Sequence, residues 1–276
     1  MIKLFASDLD GTILYGVGPD DYCKETIQMI LDHKRYFAVT TGRPLFYNQA
    51  EGIGFMDYDI LYIAMNGAVI RDSSFNIIYR NMVPKDILRS LAEEYYDAYL
   101  EFCGPDNFYI MQSKDEYLRY LESGDKKDKP REEFIKYFLG SAVFDADVKD
   151  ILNADIIKVN GRFINKEKEH LLIKEFCRKH SDVICNTPFR PDWCEITSLD
   201  ATKGNSVRKL AALLGIKEDE VAVFGDEEND ISMLSMFENA YVPENGSDEA
   251  KKYAKEITDT VTNHGILNKM RELLDK

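Results

Sequence analysis

Short, largely apolar runs alternate with amphipathic stretches along the first quarter of the chain. Ile2–Ser7, Tyr36–Thr40 and Ile60–Met65 read as buried strands. Asp21–His33 carries Ile27, Ile30 and Leu31 at helical spacing, and a further helix is expected after Pro44. Strand alternating with helix implies parallel strands joined by right-handed crossovers. The pattern then changes. Val69–Arg71 and Ile77–Arg80 flank the turn-forming segment 72–76 and read as a hairpin. The block 84–197 has its own helices (Lys85–Tyr99, Lys166–His180) and its own strands (Phe108–Gln112, Ile156–Asn160, Cys194–Thr197). Within it, Lys114–Glu133 is charge-rich, holds Gly124 and Pro130, and reads as a mobile surface segment. The first pattern resumes with a helix at Lys203–Leu214, a strand at Val221–Phe224 and a helix at Asp230–Phe237. The expected fold is α/β: a Rossmann-like doubly wound parallel-sheet core from residues 1–83 and 198–276, with an inserted α/β domain at 84–197.

Four separated segments carry the chemistry, and three of them directly follow an apolar strand. In an open α/β sheet the carboxyl ends of such strands form one crevice. Asp8 and Asp10 stand two apart, which in extended backbone puts them on one face. A close carboxylate pair divides labour: one stays ionised beside a cation, and the other is pushed toward its neutral form. Covalent phosphoryl transfer needs such a nucleophile beside an acid-base. Gly11 permits a sharp turn, and Thr12 can bond back to the turn or to a carboxylate. Thr41 with the N–H of Gly42 makes an anion-binding corner, to which Arg43 can add a bidentate contact with phosphate or carboxylate. Lys203, before Gly204, can reach the crevice and offset carboxylate repulsion. In Gly225–Asp230, Asp226 and Asp230 lie on one face of a helix entrance, and such hard oxygen ligands suit Mg²⁺. Taken singly, each segment also suits an ordinary turn, a solvated lysine or an acidic first helical turn. Their conjunction in this order is what points to a phosphoryl-transfer site.

Composition narrows the partners. The 276 residues include 45% hydrophobic and 30% charged residues, enough for a core and a solvated surface. The net charge of −14 disfavours nucleic acid and anionic membrane, which reward a basic face. A small anionic substrate remains compatible, because a metal and local cations can reverse the field in one cleft. No run approaches the roughly 20 apolar residues that span a bilayer, and the start is too short for a signal sequence, so a cytoplasmic protein is expected. Five cysteines without Cys-x-x-Cys spacing and four scattered histidines argue against disulfides and structural zinc.

These motifs resemble those of the haloacid dehalogenase superfamily of phosphatases, and within it the Cof-like hydrolases with a large α/β cap. The resemblance rests on Asp8–Thr12, Thr41–Arg43, Lys203 and Gly225–Asp230, with Asn66–Ala68 as a further match. It implies that Asp8 is the nucleophile and forms an aspartyl-phosphate. Asp10 protonates the leaving oxygen and then activates water. Asp8, the backbone carbonyl of Asp10, and Asp226 bind Mg²⁺; Thr41 and Lys203 hold the phosphoryl group; Asn229 helps, and Asp230 supports metal or lysine. The insert would act as a cap that closes over the cleft and reads the leaving group. Phe237–Tyr241 departs from the Met-Gly-Asn-Ala of relatives, which bears on substrate contacts. Three ionised aspartates are balanced by Mg²⁺ and Lys203. Without metal, an incoming dianion faces two uncompensated charges, each costing roughly 4 kcal/mol at about 4 Å and an effective dielectric of ~20. The expected activity is a Mg²⁺-dependent phosphatase of small phosphorylated metabolites, such as sugar phosphates or phosphorylated cofactors. A phosphomutase on the same scaffold and a non-catalytic phospho-receiver or metabolite-binding module are the rival readings. Arg190, Asp192 and Trp193 are candidates for leaving-group recognition, beside ordinary surface and packing roles.

Overall fold

The apolar runs from the two ends of the sequence join one sheet in the computed structural model, which describes residues 1–16, 18–43, 54–124, 138–187, 190 and 192–275. In chain order the strands begin with β1 (Leu4–Ser7), β2 (Tyr36–Thr40), β3 (Leu61–Ala64), β4 (Val69–Arg71) and β5 (Ile77–Arg80). There follow β6 (Glu101–Cys103), β7 (Phe108–Ile110), β8 (Ala142–Val143), β9 (Lys158–Gly161), β10 (Ile184–Asn186) and β11 (Cys194–Ser198). The last are β12 (Val221–Phe224), β13 (Asn239–Pro243) and β14 (Glu256–Thr258). The chain forms two units, Met1–Arg80 with Ala201–Lys276, and Asn81–Asp200.

The first unit holds an eight-stranded sheet in the order β14-β13-β12-β1-β2-β3-β4-β5. Strands β14 through β3 in that order run parallel, and β4 and β5 add an antiparallel hairpin. Strands β1 and β12 are buried along their whole length, as central parallel strands covered on both faces must be. Leu4, Ala6, Ala38, Ile63 and Val223 pack on Val207 and Leu210 of the helix Lys203–Leu213 and on Met233 and Leu234 of the helix Ile231–Leu234. Each fully buried leucine, isoleucine, valine or methionine among them contributes about 1.5–3 kcal/mol. Phe5 and Phe224, pointing the other way, stack with ring centroids 6.3 Å apart. The helices Asp21–Asp32 and Gly265–Leu274 pack on each other and reach β2 and β13 respectively. The result is a doubly wound α/β sheet.

The second unit holds a six-stranded sheet in the order β10-β11-β9-β6-β7-β8, antiparallel except where β8 joins β7. One face, with Phe102, Val159, Ile184, Cys194 and Ile196, packs on Leu88, Ile151, Ile173 and Phe176 from three helices.

Three local expectations need correction. The helix from Lys85 stops at Glu94, and a 3-10 turn at Tyr96–Ala98 ends on Tyr99, whose left-handed backbone (φ 53°) cannot continue a helix. Only Ile231–Leu234 of the segment Asp230–Phe237 is α-helical, because Asp230 closes a preceding 3-10 turn. Lys114–Glu122 is an ordered helix, capped by the Ser113 hydroxyl, and it buries Tyr117, Tyr120 and Leu121. The rest of that charge-rich stretch (125–133) and the helix expected after Pro44 lie outside the described residues.

Candidate active site

The sheet order decides where the motifs meet. From β1 the chain moves to β2 on one side, and it later returns as β12 on the other, so the direction of winding reverses at β1. Ser7 pairs in register with Val39 and Phe224, and Asp8 N–H donates to Phe224 O at 2.9 Å. Asp8, Thr41 and Asp226 therefore leave adjacent strands at the same edge, at the switch point where open α/β sheets bind ligands.

Lys203 stands in the first turn of its helix, which Thr202 caps by accepting from Asn205 N–H. Its side chain is fully buried, and its Nζ donates to Asp8 Oδ1 and to Asp230 Oδ1, both at 2.6 Å. Gly204 lets the helix of Lys203 pack closely on the helix Ile231–Leu234: a Cβ there would lie 2.2 Å from Ser232 O. Asp230 Oδ2 accepts from the N–H groups of Asp226 (2.9 Å) and Glu227 (3.1 Å), so both its oxygens are engaged in holding the lysine and the loop. Asp226 Oδ1 accepts from the Thr12 hydroxyl at 2.6 Å. One carboxylate oxygen from each of Asp8, Asp226 and Asp230 lies within 4.8 Å of the other two, and all three residues are buried.

Asp10 lies apart from this cluster. Its carboxylate is exposed and receives the Arg43 guanidinium fork, with Nε at 2.8 Å from Oδ2 and Nη2 on Oδ1. Of the two partners open to Arg43, it therefore takes a carboxylate. Asp8 and Asp10 do not share one environment, because β1 ends at Ser7 and the chain turns at Gly11 (φ +83°). Thr41 is buried, and its hydroxyl accepts from Arg43 N–H at 3.1 Å. Asn229 donates through Nδ2 to Asn66 Oδ1 at 3.1 Å, beside Gly42. Arg190 and Asp192 pair with each other at 3.2 Å in the second unit, and Trp193 faces the Arg162 guanidinium 4.8 Å away.

Two residues were given no role from the sequence. Asn66, seen there only as part of the Asn66–Ala68 match to the family, joins the second and fourth motifs. Asn245 donates to Gly11 O at 2.8 Å and accepts from Val261 N–H at 2.7 Å, pinning the first turn from a distant loop with no motif of its own.

The electrostatics are those of an anionic nest. Burial pushes the Asp8 carboxyl up to about 8, with Lys203 opposing and the charges of Asp230 and Asp226 adding. Burial likewise pushes Asp226 up to about 6, against its hydrogen bond from Thr12. Burial works against the Lys203 ammonium, but Asp8 and Asp230 outweigh it and its pKa is raised. With Lys203 charged, three ionised carboxylates leave two negative charges. Among the described residues, nothing donates to Asp8 Oδ2 or Asp226 Oδ2. A surplus of two charges and two open hard oxygens fit a divalent cation of the Mg²⁺ kind.

Buried carboxylates and a lysine thus stand together at the switch point of a doubly wound sheet, a set of groups suited to phosphoryl transfer. The chain matches the haloacid dehalogenase-like hydrolase family over residues 5–270 and belongs to it, a phosphoric monoester hydrolase of the Cof-like kind. Hydrolases of this family generally use a divalent metal. A 5-amino-6-(5-phospho-D-ribitylamino)uracil phosphatase of Bacillus subtilis is 25% identical over 285 residues, covering 98% of this chain and 96% of its own. A solved structure from Thermotoga maritima superposes with a TM-score of 0.77 at 20% identity, covering 99% of this chain and 97% of its own. A subclass IIB sugar phosphatase superposes with a TM-score of 0.68 at 20% identity, covering 98% of both chains. Among the described residues no helix is long and apolar enough to cross a membrane.

Proposed function

We propose that this protein is a Mg²⁺-dependent phosphatase of small phosphorylated metabolites, sugar phosphates or phosphorylated cofactors, working through an aspartyl-phosphate. The observation that carries the reading is the buried set Asp8, Lys203, Asp230 and Asp226, with 2.6 Å contacts from Lys203 to two of the aspartates.

A carboxylate oxygen of Asp8 attacks phosphorus, the bond to the leaving oxygen breaks, and Asp10 donates its proton to that oxygen. Asp10, now a carboxylate, takes a proton from water while the water oxygen attacks the aspartyl-phosphate. The bond between phosphorus and Asp8 breaks, orthophosphate leaves, and both aspartates return to their starting forms. Lys203 orients Asp8 and offsets the charge of the entering dianion. Thr41, the Gly42 N–H and Asn229 hold phosphoryl oxygens. The fork between Arg43 and Asp10 is a resting arrangement: as it opens, Asp10 takes up a proton from solvent and turns to the leaving oxygen, which frees Arg43 for the substrate. Asp8, the Asp10 carbonyl and Asp226, with Asp230 in support, would hold Mg²⁺, which would supply neutralisation of the phosphoryl charge. The inserted unit selects the leaving group. Its substrate class is supported by full-length relatives named for a phosphorylated ribitylaminouracil and for sugar phosphates.

The test is phosphate release from para-nitrophenyl phosphate and from a panel of sugar phosphates and phosphorylated cofactors, with Mg²⁺ and after chelation. Asp8→Asn should abolish turnover and leave the fold intact. A substantial residual rate would remove Asp8 as nucleophile. Undiminished turnover after exhaustive chelation would remove the metal.

A further inference from the structure

The turn after β3 has no task in the chemistry proposed above, yet it is unusually constrained. Met65, Asn66 and Gly67 follow one another with φ of 51°, 55° and 99°. Left-handed backbone in two successive residues that carry a Cβ persists only where the surroundings hold it. Met65 N–H donates to Arg43 O at 3.1 Å, and Asn66 N–H donates to Thr41 O at 3.0 Å, so the turn grips both carbonyls flanking Gly42. Asn66 Oδ1 accepts from Asn229 Nδ2 at 3.1 Å, and a Cβ on Gly42 would come within 3.0 Å of that same oxygen. On the far side, Ser206 donates to Gly67 O at 2.7 Å, and a Cβ on Gly67 would lie 2.3 Å from Thr202 O. Three residues thus touch the segments that carry Thr41, Asn229 and Lys203.

We propose that Asn66 is a positioning residue for phosphoryl transfer: its amide accepts from Asn229, lies against Gly42, and so sets the spacing of the donors that hold the phosphoryl group. The inference rests on the function proposed above. Asparagine suits the position twice over. It tolerates left-handed backbone better than most residues with a Cβ, and its amide offers Asn229 an acceptor. Glycine would keep the backbone and lose only the amide, so Asn66→Gly separates the side chain from the turn.

The experiment compares the parent, Asn66→Gly, Asn229→Ala and the double variant with Mg²⁺ and para-nitrophenyl phosphate, and follows inhibition by orthovanadate. Asn66→Gly should keep the parent's Tm and its Mg²⁺-induced rise in Tm. Its kcat should fall at least about ten-fold, with a similar weakening of orthovanadate inhibition, because misplaced donors lose transition-state contacts. In the Asn229→Ala background the same substitution should change kcat less than about two-fold, the mark of two residues acting as one unit. Parental kcat in Asn66→Gly, independent multiplication of the two effects, or loss of the Mg²⁺-induced rise would each overturn the inference. A parent protein without metal-stimulated phosphatase activity would instead bring down the underlying function and this inference with it.

Discussion

The Thr12 hydroxyl donates to Asp226 Oδ1 at 2.6 Å, joining residues 214 positions apart. Next to it, a Cβ on Gly11 would come within 2.2 Å of Asp226 Oδ2. The first motif therefore shapes the fourth: one oxygen of Asp226 is tied down, and space is left around the other. Outer partners of this sort orient a metal-binding carboxylate. Thr12→Val keeps the side-chain shape and removes the donor. Mg²⁺ affinity, measured by titrating activity or by calorimetry, should fall about 10–100-fold. Equal affinity in the variant would show that Thr12 does not orient Asp226 for the ion.

The aspartate nest also predicts how stability depends on pH. Both carboxyls titrate near 3.9 in an unfolded chain, but burial holds Asp226 up at about 6 and Asp8 up at about 8 in the fold. A raised folded pKa gives stability that is complete below the unfolded value and is lost as pH climbs through the folded one. The metal-free protein should thus lose Tm from these groups as pH rises from about 5 to about 8.5, and because cation and proton compete for the same oxygens the Mg²⁺-induced rise in Tm should grow over that interval. Thermal melts with and without Mg²⁺ at fixed ionic strength report both trends. A rise of constant size across the range would place the ion elsewhere.

Lys203 is the cation of the nest, and removing it leaves Asp8 and Asp230 buried without it. Lys203→Met should cost about 3–5 kcal/mol in urea unfolding at about pH 9, above the Asp8 value of about 8, where stranding buried charges is far worse than never burying them. Activity should vanish as well. Added Mg²⁺ should recover part of the lost stability by supplying positive charge to the same carboxylates. A variant as stable as the parent would mean that the aspartates are already neutral in the fold.

Much of this was legible because most of the candidate site residues follow strands whose apolar runs are unmistakable. β2 (Tyr36–Thr40) and β12 (Val221–Phe224) have the bounds expected from sequence, and the hairpin of β4 and β5 was readable from the turn residues between them. Lys203 was harder, because a lone lysine on a helix carries no pattern; only its place in the motif order pointed to the crevice. Pairings were not legible. Nothing local says that Arg43 takes Asp10, or that Asp230 spends both oxygens on Lys203 and the backbone. β13 went unread because its apolar run is short and ends in Pro243, and β14 because Glu256 and Thr258 flank a single apolar residue. The helix Lys114–Glu122 was misread because its charges outnumber Tyr117, Tyr120 and Leu121, whose spacing marks one buried face.

β6 escaped notice for a related reason, since it begins with a glutamate that is itself buried. Glu101 Oε1 accepts from the Tyr117 hydroxyl at 2.6 Å and from Arg162 Nε at 3.0 Å, while Oε2 accepts from Asn160 at 3.2 Å. Burial raises the Tyr117 phenol well above its usual pKa, and the charge of Glu101 adds to it, so the hydroxyl keeps its proton and remains a donor. Glu101→Ala takes the carboxylate from Arg162 and should cost about 3–5 kcal/mol in unfolding by urea. Glu101→Gln keeps the shape and acceptor capacity at Oε1 and should cost less. The Mg²⁺-induced rise in Tm should persist in both variants, because the aspartate nest belongs to the other unit. Equal losses in the two variants would show that charge, not hydrogen-bond geometry, holds this network together.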